Sequence, residues 1–335
     1  MKYLKRFIAT ASLLAFCLGQ AGTSFAARKN DHVKAAIELI NAKQYEQAAA
    51  ELTKAIAENP KSASLYDNRA AMYFNMQKYP EALADYSKAI ELNPKDPHAY
   101  TNRGTVYRAT NQLPQAIADF SKAIEVAPKD PKGYFERGQT EVMQEQFDPA
   151  LVDLNKAIEL KPDDINAYRF RGFADIGKKD WKAAIADFDK TIEKNPQDGR
   201  AFERRAFAKR SLQQYEAAIQ DYTQAIAINP ADFEAIDKRG YTYSLMDQWQ
   251  KAIDDYELAL SFKPNNPDTM GRLAFAKKQI APPPTPPPPT PTPAPTPVPP
   301  LISKTGWIGI GAGAVVVLLI IIIFAARAKM RARED

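Results

Sequence analysis

Cysteine is almost missing from this chain: among 335 residues only Cys17 carries a thiol, inside an apolar leading run. The rest of the sequence therefore has neither disulfides nor thiol chemistry. Histidine is nearly as scarce. His32 and His98 lie far apart, neither beside a second candidate metal ligand at close helical spacing, and both read as solvated helix residues. There is no Gly-rich phosphate loop, no GxSxG and no HExxH, and no stretch outside the repetitive part is long enough for a catalytic domain. The chain reads as a non-enzyme with no catalytic residue, cofactor or metal. A broad excess of positive charge is missing too. The formal net charge of +5 comes from the two ends, and residues 27–280 hold 37 basic against 38 acidic side chains. That balance disfavours a nucleic-acid surface. Asn-x-Ser/Thr is absent after residue 26, which leans toward a bacterial cell envelope.

What is present is repetition. Pro60, Pro94, Pro128, Pro162, Pro196, Pro230 and Pro264 each stand 34 residues after the last. A fixed period of this length marks a solenoid, in which each unit buries its apolar face against its neighbours. Counting units from residue 29, the twentieth place is always alanine, from Ala48 to Ala252. The eighth is always small, as Ala36, Ala70, Gly104, Gly138, Gly172, Ala206 and Gly240. Two helices crossing closely would need this. Large residues recur at the twenty-fourth place (Leu52, Tyr86, Phe120, Leu154, Phe188, Tyr222, Tyr256), and a ring often fills the fourth (Tyr66, Tyr100, Tyr134, Tyr168, Phe202). Both sets read as core knobs. Apolar spacing within a unit is helical, with Pro80, Pro114 and Pro149 opening a second helix and the residue before each periodic proline ending it.

Six units carry arginine at the seventh place, Arg69, Arg103, Arg137, Arg171, Arg205 and Arg239. The same six carry aspartate at the twenty-third, Asp85, Asp119, Asp153, Asp187, Asp221 and Asp255. Both charges vanish together in the first unit, where Ala35 and Glu51 stand instead. The coincidence reads as a structural ion-pair ladder, with ligand binding as the other reading.

This pattern resembles the tetratricopeptide repeat family over residues 29–266, seven units of 34 residues, followed by a capping helix at 267–280. Unit three fits the family's pattern well through Tyr100, Gly104, Tyr107, Ala116, Phe120, Ala123 and Pro128. Glu141, Asp175 and Lys209 replace the ring expected at the end of the first helix, and Thr191 replaces a small apolar residue; these departures point to a locally altered groove. The expected fold is all-α, a right-handed superhelical solenoid of helix-turn-helix repeats, plus a single C-terminal transmembrane helix. The resemblance implies a groove lined by the first helices that holds peptides or partner helices. One family variant clamps a C-terminal carboxylate with Lys, Asn and Arg. Asn68 and Asn102 suit its asparagine, but Asp67 and Ala71, or Thr101 and Thr105, stand where Lys and Asn are needed, so that ligand is not expected.

The ends carry other signals. Residues 1–26 have a basic start, an apolar run and a small-residue exit at Ala26, as a secretory signal peptide does; Phe16 argues against lipidation of Cys17. Residues 281–300 contain 13 prolines and read as a stiff linker. Residues 307–326 hold no charge and suffice for a transmembrane helix, and the basic tail at 327–335 is expected in the cytoplasm, with the repeats exported. Gly309 and Gly313 form a GxxxG that can support helix dimers. Thr305 and Gly306 look like part of a cell-wall sorting signal, but Ile302 and Ser303 replace its Leu-Pro, so an uncleaved anchor is expected.

Groove candidates concentrate in units five and six: Arg169, Phe173, Arg200, Arg204, Phe207 and Arg210. Guanidinium mixed with ring suits an acidic partner segment bearing bulky apolar residues. The competing reading packs the rings between units and leaves the arginines solvated. The function expected is a membrane-anchored protein-binding scaffold or assembly adaptor. The alternatives are a self-assembling array at the membrane, or an accessory subunit of an envelope enzyme or secretion complex.

Overall fold

The computed structural model describes residues 31–281, which form fifteen α-helices and no strand. Seven helix pairs follow one another: α1 and α2 (Asp31–Asn41, Tyr45–Glu58), α3 and α4 (Ala63–Asn75, Tyr79–Leu92), α5 and α6 (Pro97–Ala109, Leu113–Val126), α7 and α8 (Pro131–Met143, Phe147–Leu160), α9 and α10 (Ile165–Lys178, Trp181–Lys194), α11 and α12 (Gly199–Ser211, Tyr215–Ile228), α13 and α14 (Phe233–Ser244, Trp249–Phe262). A lone α15 (Pro267–Ile280) closes the series. Each helix packs on the next, which makes a helical repeat solenoid. First helices of neighbouring units also touch, as α3 with α5, α5 with α7, and α7 with α9, so they line the side on which units crowd together. No helix among the described residues is long and apolar enough to cross a membrane. The expected signal peptide, linker, transmembrane helix, Gly309/Gly313 motif and tail lie outside the described residues.

The turns inside the units share one geometry. Lys43, Gln77, Asn111, Glu145, Lys179, Gln213 and Asp247, the fifteenth residue of each unit, have φ between 56° and 62°. Their N–H groups reach back three residues, and those of the following residues reach back five, as in Gln77 to Phe74 and Lys78 to Tyr73. These are Schellman closures of the first helix, built without the usual glycine. The first helices of units three to seven, and α15, begin on a side-chain cap supplied by the residue before them. Asp96, Asp130, Asp164, Asp198, Asp232 and Asn266 each accept a bond from a backbone N–H of the helix they precede. Such a cap contributes about 1 kcal/mol.

Small residues at the eighth place meet large ones at the twenty-fourth. A Cβ added to Gly104 would come within 2.7 Å of the Phe120 ring, so a larger side chain there would push the two helices apart. Leu52, Phe120, Leu154, Phe188, Tyr222 and Tyr256 are all buried behind these small residues. The rings at the fourth place are a correction: Tyr66, Tyr100, Tyr134, Tyr168 and Phe202 are half-buried, not core knobs. In the four tyrosines the rim stays wet because the hydroxyl needs a polar partner. The hydroxyls of Tyr66 and Tyr134 donate to the carbonyls of Pro60 and Pro128 in the preceding unit.

The arginines form the expected ladder and add a rung between units. Each donates two bonds of 2.5–2.9 Å to its own aspartate, as Arg103 does to Asp119. Its remaining nitrogen reaches the unit before. There it meets Thr53, Ser87, Ser121, Asn155, Asp189 or Thr223, always the twenty-fifth place. In the first unit His32 binds Glu51 at 2.6 Å, so it is a paired, half-buried group and not a solvated one. Thr191 is fully buried and donates to the Asp187 carbonyl, which satisfies its hydroxyl in the core.

Replacing Asp119 with alanine should leave the half-buried Arg103 without its carboxylate and lower stability by about 3 kcal/mol. Urea unfolding followed by circular dichroism checks this; a midpoint equal to the wild type would remove the ladder's structural role.

Candidate functional site

The six candidate residues all lie on first helices and all are half-buried. Arg169, on α9, is committed elsewhere: its Nη1 lies 3.0 Å from Asp198 Oδ2, and it also donates to Asn166. Since Asp198 caps α11, Arg169 ties a helix start to the previous unit. Arg200 contributes, with Arg204 and Lys238, to the positive field around Glu203. That carboxyl is 4 % exposed; burial works to raise its pKa, yet the three cations outweigh burial and hold it below the ordinary value. Lys238 reaches it at 2.9 Å and Arg204 at 3.9 Å.

The remaining candidates come together with rings. Arg204 lies 5.9 Å from the centroid of Phe173, across the boundary between units five and six. Arg210 sits between two rings, 5.2 Å from Phe207 and 5.1 Å from Tyr241. Each ring is braced from behind. Phe173 meets Phe170 edge-on at 5.5 Å and tilts against Phe188 at 5.6 Å, while Phe207 meets the Trp181 edge at 5.7 Å. Such contacts hold the rings in place and add about 1 kcal/mol each beyond area burial. Beyond Arg210 the file continues into α13 and α15. Arg272 also lies over the Tyr241 ring, at 5.4 Å, and Phe275 packs edge-on to Trp249 at 5.8 Å.

Two adjoining cavities open along this extension. The larger, about 510 Å³, is walled by Tyr241, Leu245, Trp249, Tyr256, Gly271 and Phe275 among others. The smaller, about 290 Å³, has Arg210, Glu234, Asp237 and Lys238 in its wall, and both share Tyr241, Asp268 and Arg272. Sequence reasoning stopped at Arg210 and missed this end. A signal was there: Phe173, Phe207, Tyr241 and Phe275 repeat at the ninth place, where the first four units have Ile37, Ala71, Thr105 and Gln139.

The family described as "TPR repeat" matches residues 70–109 and 207–247, and the one described as "Tetratricopeptide repeat" matches residues 97–130. The matched segments are tetratricopeptide repeats. No curated protein matches the chain. Among solved structures, the C-terminal part of a TPR repeat-containing protein from Cytophaga hutchinsonii is 21% identical. It aligns with 72% of this chain and 98% of its own at a TM-score of 0.58. A tetratricopeptide repeat protein from Parabacteroides merdae is 18% identical over 73% of this chain and 97% of its own, with a TM-score of 0.56. YrrB, described as a TPR protein with an unusual peptide-binding site, is 29% identical over 55% of this chain and 95% of its own, at 0.49.

The departures from the repeat pattern lie beside the ladder and not in the groove, which corrects the sequence expectation. Glu141 and Asp175 are buried within their units, and Lys209 pairs with Asp221 at 2.8 Å. The family's ring is replaced there by a charge facing the ladder carboxylate. Burial, with Asp153 nearby, raises Glu141 to about 7, and burial with Asp187 nearby raises Asp175 to about 6. Asp67 also rises to about 6, chiefly by burial, and accepts a bond from Asn102 at 3.2 Å.

Glu141 has a testable consequence. Its folded pKa exceeds the ordinary 4.5, so the native state holds the proton more tightly and stability falls as pH rises from about 4.5 to about 7. Glu141→Gln should therefore raise stability at pH 8 by up to about 3 kcal/mol and change little at pH 4. Thermal unfolding at the two pH values checks the difference.

Proposed function

We propose that this chain is a scaffold that captures partner proteins through the first-helix face of units five to seven and α15, held at a membrane by its 307–326 segment with the repeats exported. The observation that carries this reading is the braced file of guanidinium and ring, Phe173 with Arg204 and Phe207 with Arg210 and Tyr241. Arginine and aromatic side chains dominate the energetics of protein interfaces, and rings locked by their neighbours lose little entropy on binding. The ladder arginines are already bonded on both sides and serve the fold. An acidic segment with bulky apolar residues is the natural partner.

Arg204→Gln removes one charge from the file and keeps the aliphatic stem, while Arg169 is left intact because it supports the cap of α11. Crosslinked pull-down with the full-length chain should then recover the partner several-fold less well, with unchanged far-UV circular dichroism. Capture at the wild-type level would overturn the reading.

Self-assembly is the second reading, and a different observation favours it. Leu258 and Phe262 on α14, and Met270, Phe275 and Ile280 on α15, are exposed, Phe275 at 56 %. Apolar side chains gathered on two neighbouring helices mark association surfaces. Light scattering across a concentration series separates the two: a constant monomer mass favours the adaptor, and mass that grows with concentration favours the array.

A further inference from the structure

The eighth first helix, α15, carries glycine at a place where the seven before it carry a side chain. Its fifth position is Gly271, where the others carry Val33, Asp67, Thr101, Phe135, Arg169, Glu203 and Asp237. A Cβ added to Gly271 would meet no heavy atom within 4 Å, so the missing side chain keeps the larger cavity open. Its walls include the rings of Tyr241, Trp249, Tyr256 and Phe275, and its volume of about 510 Å³ falls in the range of ligand sites. The glycine is also costly in mid-helix relative to alanine.

Arg210 stands next to this cavity, across Tyr241. Among the described residues no carboxylate pairs with it, whereas the neighbouring cations are taken: Arg272 by Asp237, and Lys238 by Glu203 and Glu234. Phe207 and Tyr241 flank the Arg210 guanidinium. A guanidinium held by rings keeps in-plane N–H groups for a bidentate oxygen acceptor. Asp268 lines both cavities and repels a second acid on the α15 side.

We propose that Arg210 and the Gly271 cavity form a two-point receptor for a partner peptide, taking one Asp or Glu carboxylate on Arg210 and one bulky aromatic side chain in the cavity. The inference rests on the reading that this face captures partner proteins, and it specifies what that partner presents. Charge decides the occupant: the acid belongs at Arg210, and neutral or basic residues belong beside Asp268. Gly271→Leu fills the cavity and replaces glycine by a better helix former, so folding is retained. Arg210→Gln removes the charge while keeping the stem.

The test uses the full-length chain with ¹⁵N-labelled indoles, reading the Trp249 resonance, which Trp249→Phe assigns. The probes are blocked peptides with one Glu and one Phe separated by zero to three Ser. At least one spacing should shift Trp249 saturably, with Glu→Gln or Phe→Ala in the peptide weakening it at least tenfold. Arg210→Gln should abolish sensitivity to the peptide's Glu only, and Gly271→Leu sensitivity to its Phe only. No shift at millimolar peptide, or identical titrations in wild type and both variants, would overturn the receptor. So would a Trp249 shift that follows protein concentration without peptide, which assigns the cavity to a second copy. Arg204 lines neither cavity, so Arg204-dependent capture without a peptide response sinks this receptor and leaves the wider groove reading standing.

Discussion

The contact on which the stack depends is the arginine at the seventh place of each unit from the second to the seventh. Its bidentate bond to the aspartate sixteen residues later closes the unit on itself, and its remaining nitrogen closes the unit onto the one before, as Arg103 does with Asp119 and Ser87. A helix pair slides and rotates easily when only apolar surface holds it, because burial is non-directional. A planar fork with acceptors on two sides admits one geometry. The aspartates are buried, so their pairing does more to specify that geometry than to add net stability. Where the arginine is missing the chain changes device. The first unit uses His32 with Glu51, and α15 carries Leu273 at the equivalent place, which ends the ladder.

With packing and pairing assigned to a fixed set of positions, the others on the first helices are free to vary. The ninth place shows how. It runs Ile37, Ala71, Thr105 and Gln139 through the first half, then Phe173, Phe207, Tyr241 and Phe275. A solenoid lets such a change accumulate on one face without disturbing the fold, since each unit answers only to its neighbours. In the first half polar groups bond to one another, as Asn102 does by donating to Asp67. The second half instead surrounds its rings with arginines. The proposed binding face and the scaffold thus occupy different positions of the same 34 residues.

Much of this was legible beforehand. The small eighth residue, the alanine at the twentieth, and the Arg–Asp pairs were all read as structural, and Gly104 against Phe120 or Arg171 against Asp187 show why. The fourth-place tyrosines were harder, because a ring that recurs with the period looks like core whether buried or wet at its rim. Glu141 and Asp175 were read as groove residues, since a departure from a pattern shows that a position changed but not which way it faces. Arg169 looked like its neighbours Arg204 and Arg210 and belongs to the Asp198 cap instead.

The sequence by itself determined the repeat, the helix ends and the strictly periodic contacts made inside one unit, the small-on-large crossings and the Arg–Asp pairs. Those partners are joined by a short helix-turn-helix whose geometry repeats with the spacing. Only the tertiary structure decided what units do to each other: the third bond of each ladder arginine, the capture of Arg169 by Asp198, the placing of Arg210 between rings of two units, and the cavity left open at Gly271. Those depend on the rotation from one unit to the next, which packing sets in three dimensions and no spacing along the chain records.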